Sequence, residues 1–142
     1  MRDKLQRTLA QYASRRVPAF EVKVYGLLAE QDDPSGFAMD ARWPSEYPHG
    51  KRRGVYLMYS RSGRPLYVGK ASQEPIGARL ECYFRTDANG ACIAIGNWTE
   101  PPAYLLTVAV PDEFWFEASA LEEYLIWILK PCDNIRGVAA CA

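Results

Sequence analysis

Apolar and polar positions are patterned most clearly between Gly54 and Lys70. Val55, Leu57 and Tyr59 fall on one face of a strand and Tyr56 and Met58 on the other, because successive strand side chains point to opposite sides of the pleat. Ser60-Arg61-Ser62-Gly63-Arg64 is polar, contains a glycine and suits a hairpin loop of about five residues. Pro65 marks the entrance of a second strand, where a missing N–H does least damage. Leu66, Tyr67 and Val68 form that strand and Gly69 ends it. The hairpin brings Tyr56 and Tyr67 near each other with both phenol oxygens available.

Helical spacing governs the two ends of the chain. Leu5, Leu9, Tyr12 and Ala13 make an apolar stripe over residues 1–16, with Arg2, Lys4, Arg7, Arg15 and Arg16 around it. Pro18 ends this helix. A helix packed on the core with its basic face in water is preferred over a DNA-backbone arm or a dimer contact. Residues 19–31 are ambiguous: Phe20, Val22 and Val24 alternate like a strand, while Leu27, Leu28 and Ala29 suit a helix start. Residues 32–50 read as loop, with Trp43 and Tyr47 either pinning it or offering stacking surfaces.

After the hairpin, Ser72 or Gln73-Glu74-Pro75 caps a helix from about Ile76 to Phe84, with Ile76, Leu80, Tyr83 and Phe84 inward. Arg79 and Tyr83, four residues apart, share a face. Residues 86–101 look irregular, and Asn89-Gly90 and Gly96-Asn97 signal turns. Ala103 to Val110 reads as a central third strand. A helix follows from Pro111-Asp112-Glu113 to about Leu129, largely buried, with Ala118, Leu121, Leu125, Ile128 and Leu129 on one face. On that helix Glu122 falls roughly 40° from Ala118, beside the buried stripe, and Glu123 roughly 140° away. An ionised carboxylate beside a core needs a metal, a cation or hydrogen bonds, so the phase of the helix singles out Glu122.

Composition changes this picture in three places. The 142 residues suit one domain with a proper core. The four cysteines form no C-x-x-C pair and there is one histidine, His49, so zinc-finger spacing is absent and buried free thiols are expected. Net charge is zero, which argues against a simple polycation. Its distribution is uneven: residues 1–85 hold 15 Lys/Arg against 9 Asp/Glu, and residues 86–129 hold 7 acids and no Lys or Arg. The six Lys or Arg between Lys51 and Lys70 would draw a phosphate backbone to the hairpin. No apolar run spans a membrane and the N-terminus does not read as a secretory signal, so a cytoplasmic location is expected.

Gly54-Val55-Tyr56 and, after ten intervening residues, Tyr67-Val68-Gly69 resemble the paired signature of the GIY-YIG nuclease family, with valine for isoleucine in both halves. Arg79 and Tyr83 match the family's helical arginine and the histidine or tyrosine four residues after it. Glu122, Leu125-Ile126, Pro131 and Asn134 match its glutamate, Leu-Ile, proline and asparagine, so the resemblance runs from about residue 53 to 135. It implies a small, mainly antiparallel three-stranded sheet flanked by helices, an α/β fold. It also implies a nuclease domain over residues 51–142, with 1–50 as an N-terminal helix and loop extension packed on it.

The resemblance further implies an endonuclease that hydrolyses DNA phosphodiesters with one Mg²⁺ (or Mn²⁺) on Glu122. Tyr56 is the candidate base, Arg79 the phosphate-neutralising cation, and Tyr67 and Tyr83 orient water or phosphate. Asn134 helps hold the site together. Lys70, which restriction-type members also carry, is a cation that favours the Tyr56 phenolate or shares its proton. The sequence departs from the pattern in having no site histidine. RNA stays open as a substrate, as does a homodimer or a recruiting protein partner. The alternatives are a non-catalytic nucleic-acid-binding module, or a defence or toxin component acting with a partner protein.

Overall fold

The hairpin at Gly54 lies at one side of a five-stranded sheet, in a computed structural model that describes residues 2–16, 20–27, 41–42, 49–86, 88 and 92–136. In chain order the elements are α1 (Arg2–Arg16), β1 (Glu21–Gly26), β2 (Ala41–Arg42), β3 (Gly54–Ser60), β4 (Pro65–Ala71), α2 (Ile76–Leu80), β5 (Phe84–Thr86), β6 (Cys92–Ala94), β7 (Pro102–Ala109), α3 (Glu117–Leu129) and α4 (Cys132–Arg136). The chain is a mixed α/β fold. Its sheet has the order β2-β1-β7-β3-β4, antiparallel throughout except for the parallel addition of β2.

The sheet is therefore wider than the expected three strands. The ambiguous stretch before residue 31 supplies β1, which pairs with β7 from Glu21 opposite Ala109 to Gly26 opposite Tyr104. β7 is buried along its whole length. Its backbone donors and acceptors on the side away from β3 need partners, and β1 provides them. Both faces of the sheet are covered. On one face Val55, Leu57, Val68, Leu106 and Val108 pack with Leu121 and Leu125 of α3 and with Leu5 and Leu9 of α1. On the other, Tyr56, Met58, Leu66 and Leu105 pack with Ile76 and Leu80 of α2. Segments before and after residue 50 thus share one core.

Other boundaries differ from expectation. β4 continues past Gly69 to Ala71, because Val55 and Gly54 still pair with Lys70 and Ala71. α2 stops at Leu80 rather than Phe84. The N–H of Tyr83 bonds back only three residues, to the Leu80 carbonyl at 3.0 Å, and this tighter turn sends the chain into β5. β5 pairs with β6, which occupies part of the stretch expected to be irregular. No side chain caps α2; the N–H groups of Ile76 and Gly77 donate to the carbonyls of Arg52 and Gly50. The long helix after Pro111 is broken: a 3-10 turn at Asp112–Phe114 precedes α3. α3 is amphipathic and not buried all round, for Ala118, Leu121 and Leu125 are inaccessible while Ile128 is exposed and Trp127 is 69 % exposed. Cys82 and Cys132 are free thiols, half-buried rather than buried.

The expectations for Pro18, Leu28, Ala29, Trp43, Tyr47 and the Asn89-Gly90 turn lie outside the described residues. Among the described residues no helix is long and apolar enough to cross a membrane.

Candidate active site

Strand alternation and one missing side chain build the centre of the site. Tyr56 sits opposite Gly69 in the β3–β4 pair, and Tyr67 lies two residues from Gly69 on the same face. The Tyr56 ring lies across Gly69: a Cβ there would come within 2.6 Å of Tyr56 Cε2 and closer still to Cζ and Oη. Gly69 is therefore what lets the phenol reach the edge of the sheet. Gly54 has a similar constraint, since a Cβ would be driven into the Val108 carbonyl.

A cavity of about 480 Å³ straddles this edge strand. Tyr56, Tyr67 and Arg79 line it from one side, Lys70 and Glu122 from the other, and Gly69 stands between them. Five of the seven residues singled out from the sequence thus line one space. Tyr56 borders this space although it is 0 % exposed; Tyr83, 2 % exposed, does not border it, and Asn134 lies apart from it.

The three tyrosines form a chain of hydroxyls. Tyr56 donates to Tyr83 at 3.2 Å, and Tyr83 donates to Tyr67 at 3.3 Å. Their ring centroids are 5.6 to 6.4 Å apart. Tyr83 reaches this position from the turn after α2, not from the helix itself. Burial pushes the Tyr56 phenol up to about 12; the bond to Tyr83 and the nearby Arg79 guanidinium pull the other way. Burial also raises Tyr67 and Tyr83. A phenol raised to about 12 is ionised at pH 7 in only ~10⁻⁵ of molecules. The cation acting on it is Arg79. Lys70 is not among the groups that shift Tyr56; its Nζ lies 4.0 Å from Glu122 Oε1.

Glu122 is held in place by the phase of α3, as Glu123 is exposed and Glu122 is not. Its side chain is 20 % exposed. Burial raises its carboxyl pKa, while Lys70 opposes the shift through its charge and its backbone N–H, and Arg79 opposes it through charge. A second carboxylate enters the cavity from the loop before α2: Glu74 Oε1 lies 3.4 Å from Arg79 Nε. Among the described residues no cluster of three His, Cys, Asp or Glu side chains exists. A cage of protein ligands is thus not formed there. A hydrated divalent ion resting on the Glu122 carboxylate would fit an open space of this size, because Mg²⁺ keeps much of its hydration shell.

Asn134 works from outside. Its Oδ1 accepts from the Val68 N–H at 2.8 Å and its Nδ2 donates to the Val68 carbonyl at 2.9 Å. It therefore clamps the strand between Tyr67 and Gly69, a positioning role that its α4 backbone makes possible. The expectation of irregular chain over residues 86–101 hid Trp98, which packs edge-on against Tyr67 at 6.0 Å and against Tyr83 at 6.1 Å. Glu74 and the wall residues Trp115, Phe116 and Ser119 were also not singled out, for no local spacing marks them. No family model matches the chain, and neither does any curated protein or solved structure.

Proposed function

We propose that the chain is a divalent-metal-dependent endonuclease of the GIY-YIG type, hydrolysing DNA phosphodiester bonds. The observation that carries this reading is the meeting of Tyr56, Tyr67, Arg79, Lys70 and Glu122 on one cavity open to solvent. Glu122 would hold a Mg²⁺ or Mn²⁺ ion, which when bound would supply charge neutralisation at the phosphate. Arg79 offers a planar, permanently charged fork to the phosphate oxygens, where its charge counts most as negative charge accumulates in the transition state. A phosphate entering there replaces Glu74 on the guanidinium. Lys70 balances the Glu122 carboxylate in the absence of substrate.

Proton traffic follows the hydroxyl chain. Tyr56 is a neutral phenol, so it can take a proton from the attacking water only as it gives up its own. Its own proton passes to Tyr83, and that of Tyr83 passes to Tyr67. Both ends of the chain line the cavity, so Tyr67 returns a proton to the departing oxygen and no isolated phenolate forms. The P–O bond to water forms, the bond to the leaving oxygen breaks, and one proton travels from the first oxygen to the second.

Supercoiled plasmid with Mg²⁺ or Mn²⁺ tests the activity: nicking or linearisation that EDTA abolishes is expected. No cleavage of plasmid, single-stranded DNA or RNA would overturn the enzyme reading in favour of a binding module. Tyr83→Phe tests the relay. It keeps the ring packing and removes the linking hydroxyl, and single-turnover cleavage is expected to fall ~10²-fold with substrate binding unchanged. Cleavage at the wild-type rate would remove the relay from the mechanism.

A further inference from the structure

The 3-10 turn that interrupts the expected helix places aromatic rings in water beside the cavity. Trp115 is 43 % exposed and Phe116 is 51 % exposed, with ring centroids 6.0 Å apart at 80°. Both line the candidate active site. Trp115 also lines a second cavity of about 490 Å³, together with Arg53, Ser72 and Gln73. Ser72, Gln73 and Trp115 belong to both spaces, so Trp115 stands in the wall between them. One side holds Arg79 and Lys70, with the carboxylates Glu74 and Glu122 beside them, and the other Arg53. The acids on the same turn are Asp112, which lies 3.6 Å from the Arg52 guanidinium, and exposed Glu113.

Exposed aromatic area flanked by cations on both sides suits a base between two phosphates. A tryptophan face stacks any nucleobase, and the neighbouring cations take the backbone. A base fully stacked within a duplex has no free face to offer. Resting on the nuclease reading, we propose that Trp115 is a stacking platform for an unpaired base next to the scissile phosphate, with Arg53 binding the adjoining phosphate. The substrate is then DNA with a single-stranded or locally unpaired nucleotide at the cleavage point.

The test is fluorescence anisotropy in EDTA with the full chain, on an end-labelled thymidine strand of about a dozen nucleotides and a fully paired duplex of the same length. Trp115→Ala is expected to weaken the single strand at least ~5-fold and the duplex less than twofold, and Trp115→Phe to retain most of the affinity. Arg53→Ala is expected to weaken both probes and to flatten their salt dependence by about one phosphate contact. Equal losses on both probes, or none, with Trp115→Ala would overturn the stacking role. Unchanged binding with Arg53→Ala would overturn the phosphate site. Cleavage assays on plasmid, single-stranded DNA and RNA separate the two readings. Strand binding that depends on Trp115 without any cleavage sinks the nuclease and keeps the platform; cleavage with Trp115-independent binding does the reverse.

Discussion

Glu122→Gln is expected to lower plasmid cleavage at least ~10³-fold, because it removes the carboxylate proposed to hold the metal and keeps the shape. Glu123→Gln, one residue on and exposed, is expected to stay within about twofold of wild type. The same substitution at 122 is expected to make the fold more stable at neutral pH. Burial raises the Glu122 carboxyl above its ordinary value of 4.5, so the folded chain disfavours the ionised form relative to the unfolded chain. That penalty is absent below the unfolded value and grows as pH rises through the raised folded one. Thermal unfolding should therefore show Glu122→Gln melting above wild type at pH 8, with the gap closing as the pH falls from the raised folded value towards about 4.5. A variant that loses activity and melts lower at pH 8 would contradict the strained-carboxylate account.

Gly69→Ala is the second large effect. Its methyl group would occupy the volume of the Tyr56 ring, and neither side can yield easily: one is strand backbone, the other a ring with no exposed surface. Overpacking of this kind costs about 1–3 kcal/mol, which lowers the melting temperature by several degrees in a chain of this size. The larger consequence is displacement of the phenol oxygen. A shift of ~1 Å in a reacting group costs ~10²-fold in rate. Urea melts and single-turnover cleavage measured on the same preparation separate the two effects. Retention of full cleavage by a folded Gly69→Ala protein would mean that Tyr56 does not act where it stands.

Local periodicity made part of this arrangement legible. Two-residue alternation placed Tyr56 and Tyr67 on adjoining strands, and helical phase separated Glu122 from Glu123. What escaped depended on partners distant in the chain. Glu21–Gly26 becomes a strand because β7 lacks a neighbour, and nothing within its own six residues decides that. α2 ends early because Phe84–Thr86 has a partner in Cys92–Ala94. The Glu122–Lys70 pair arises because the edge strand runs on past Gly69. Trp98, Glu74 and Trp115 reach the site from three loops, whose mutual positions no short-range pattern encodes.

β4 is the outermost strand of the sheet, and an outermost strand is ordinarily a template on which another chain can grow. Here the amide of Asn134 already occupies both backbone groups of Val68. A second copy seeking to extend the sheet would have to displace that clamp, and in doing so would slacken the strand that carries Tyr67 and Lys70. Association through this edge would therefore compete with the Asn134 clamp that steadies the cavity wall.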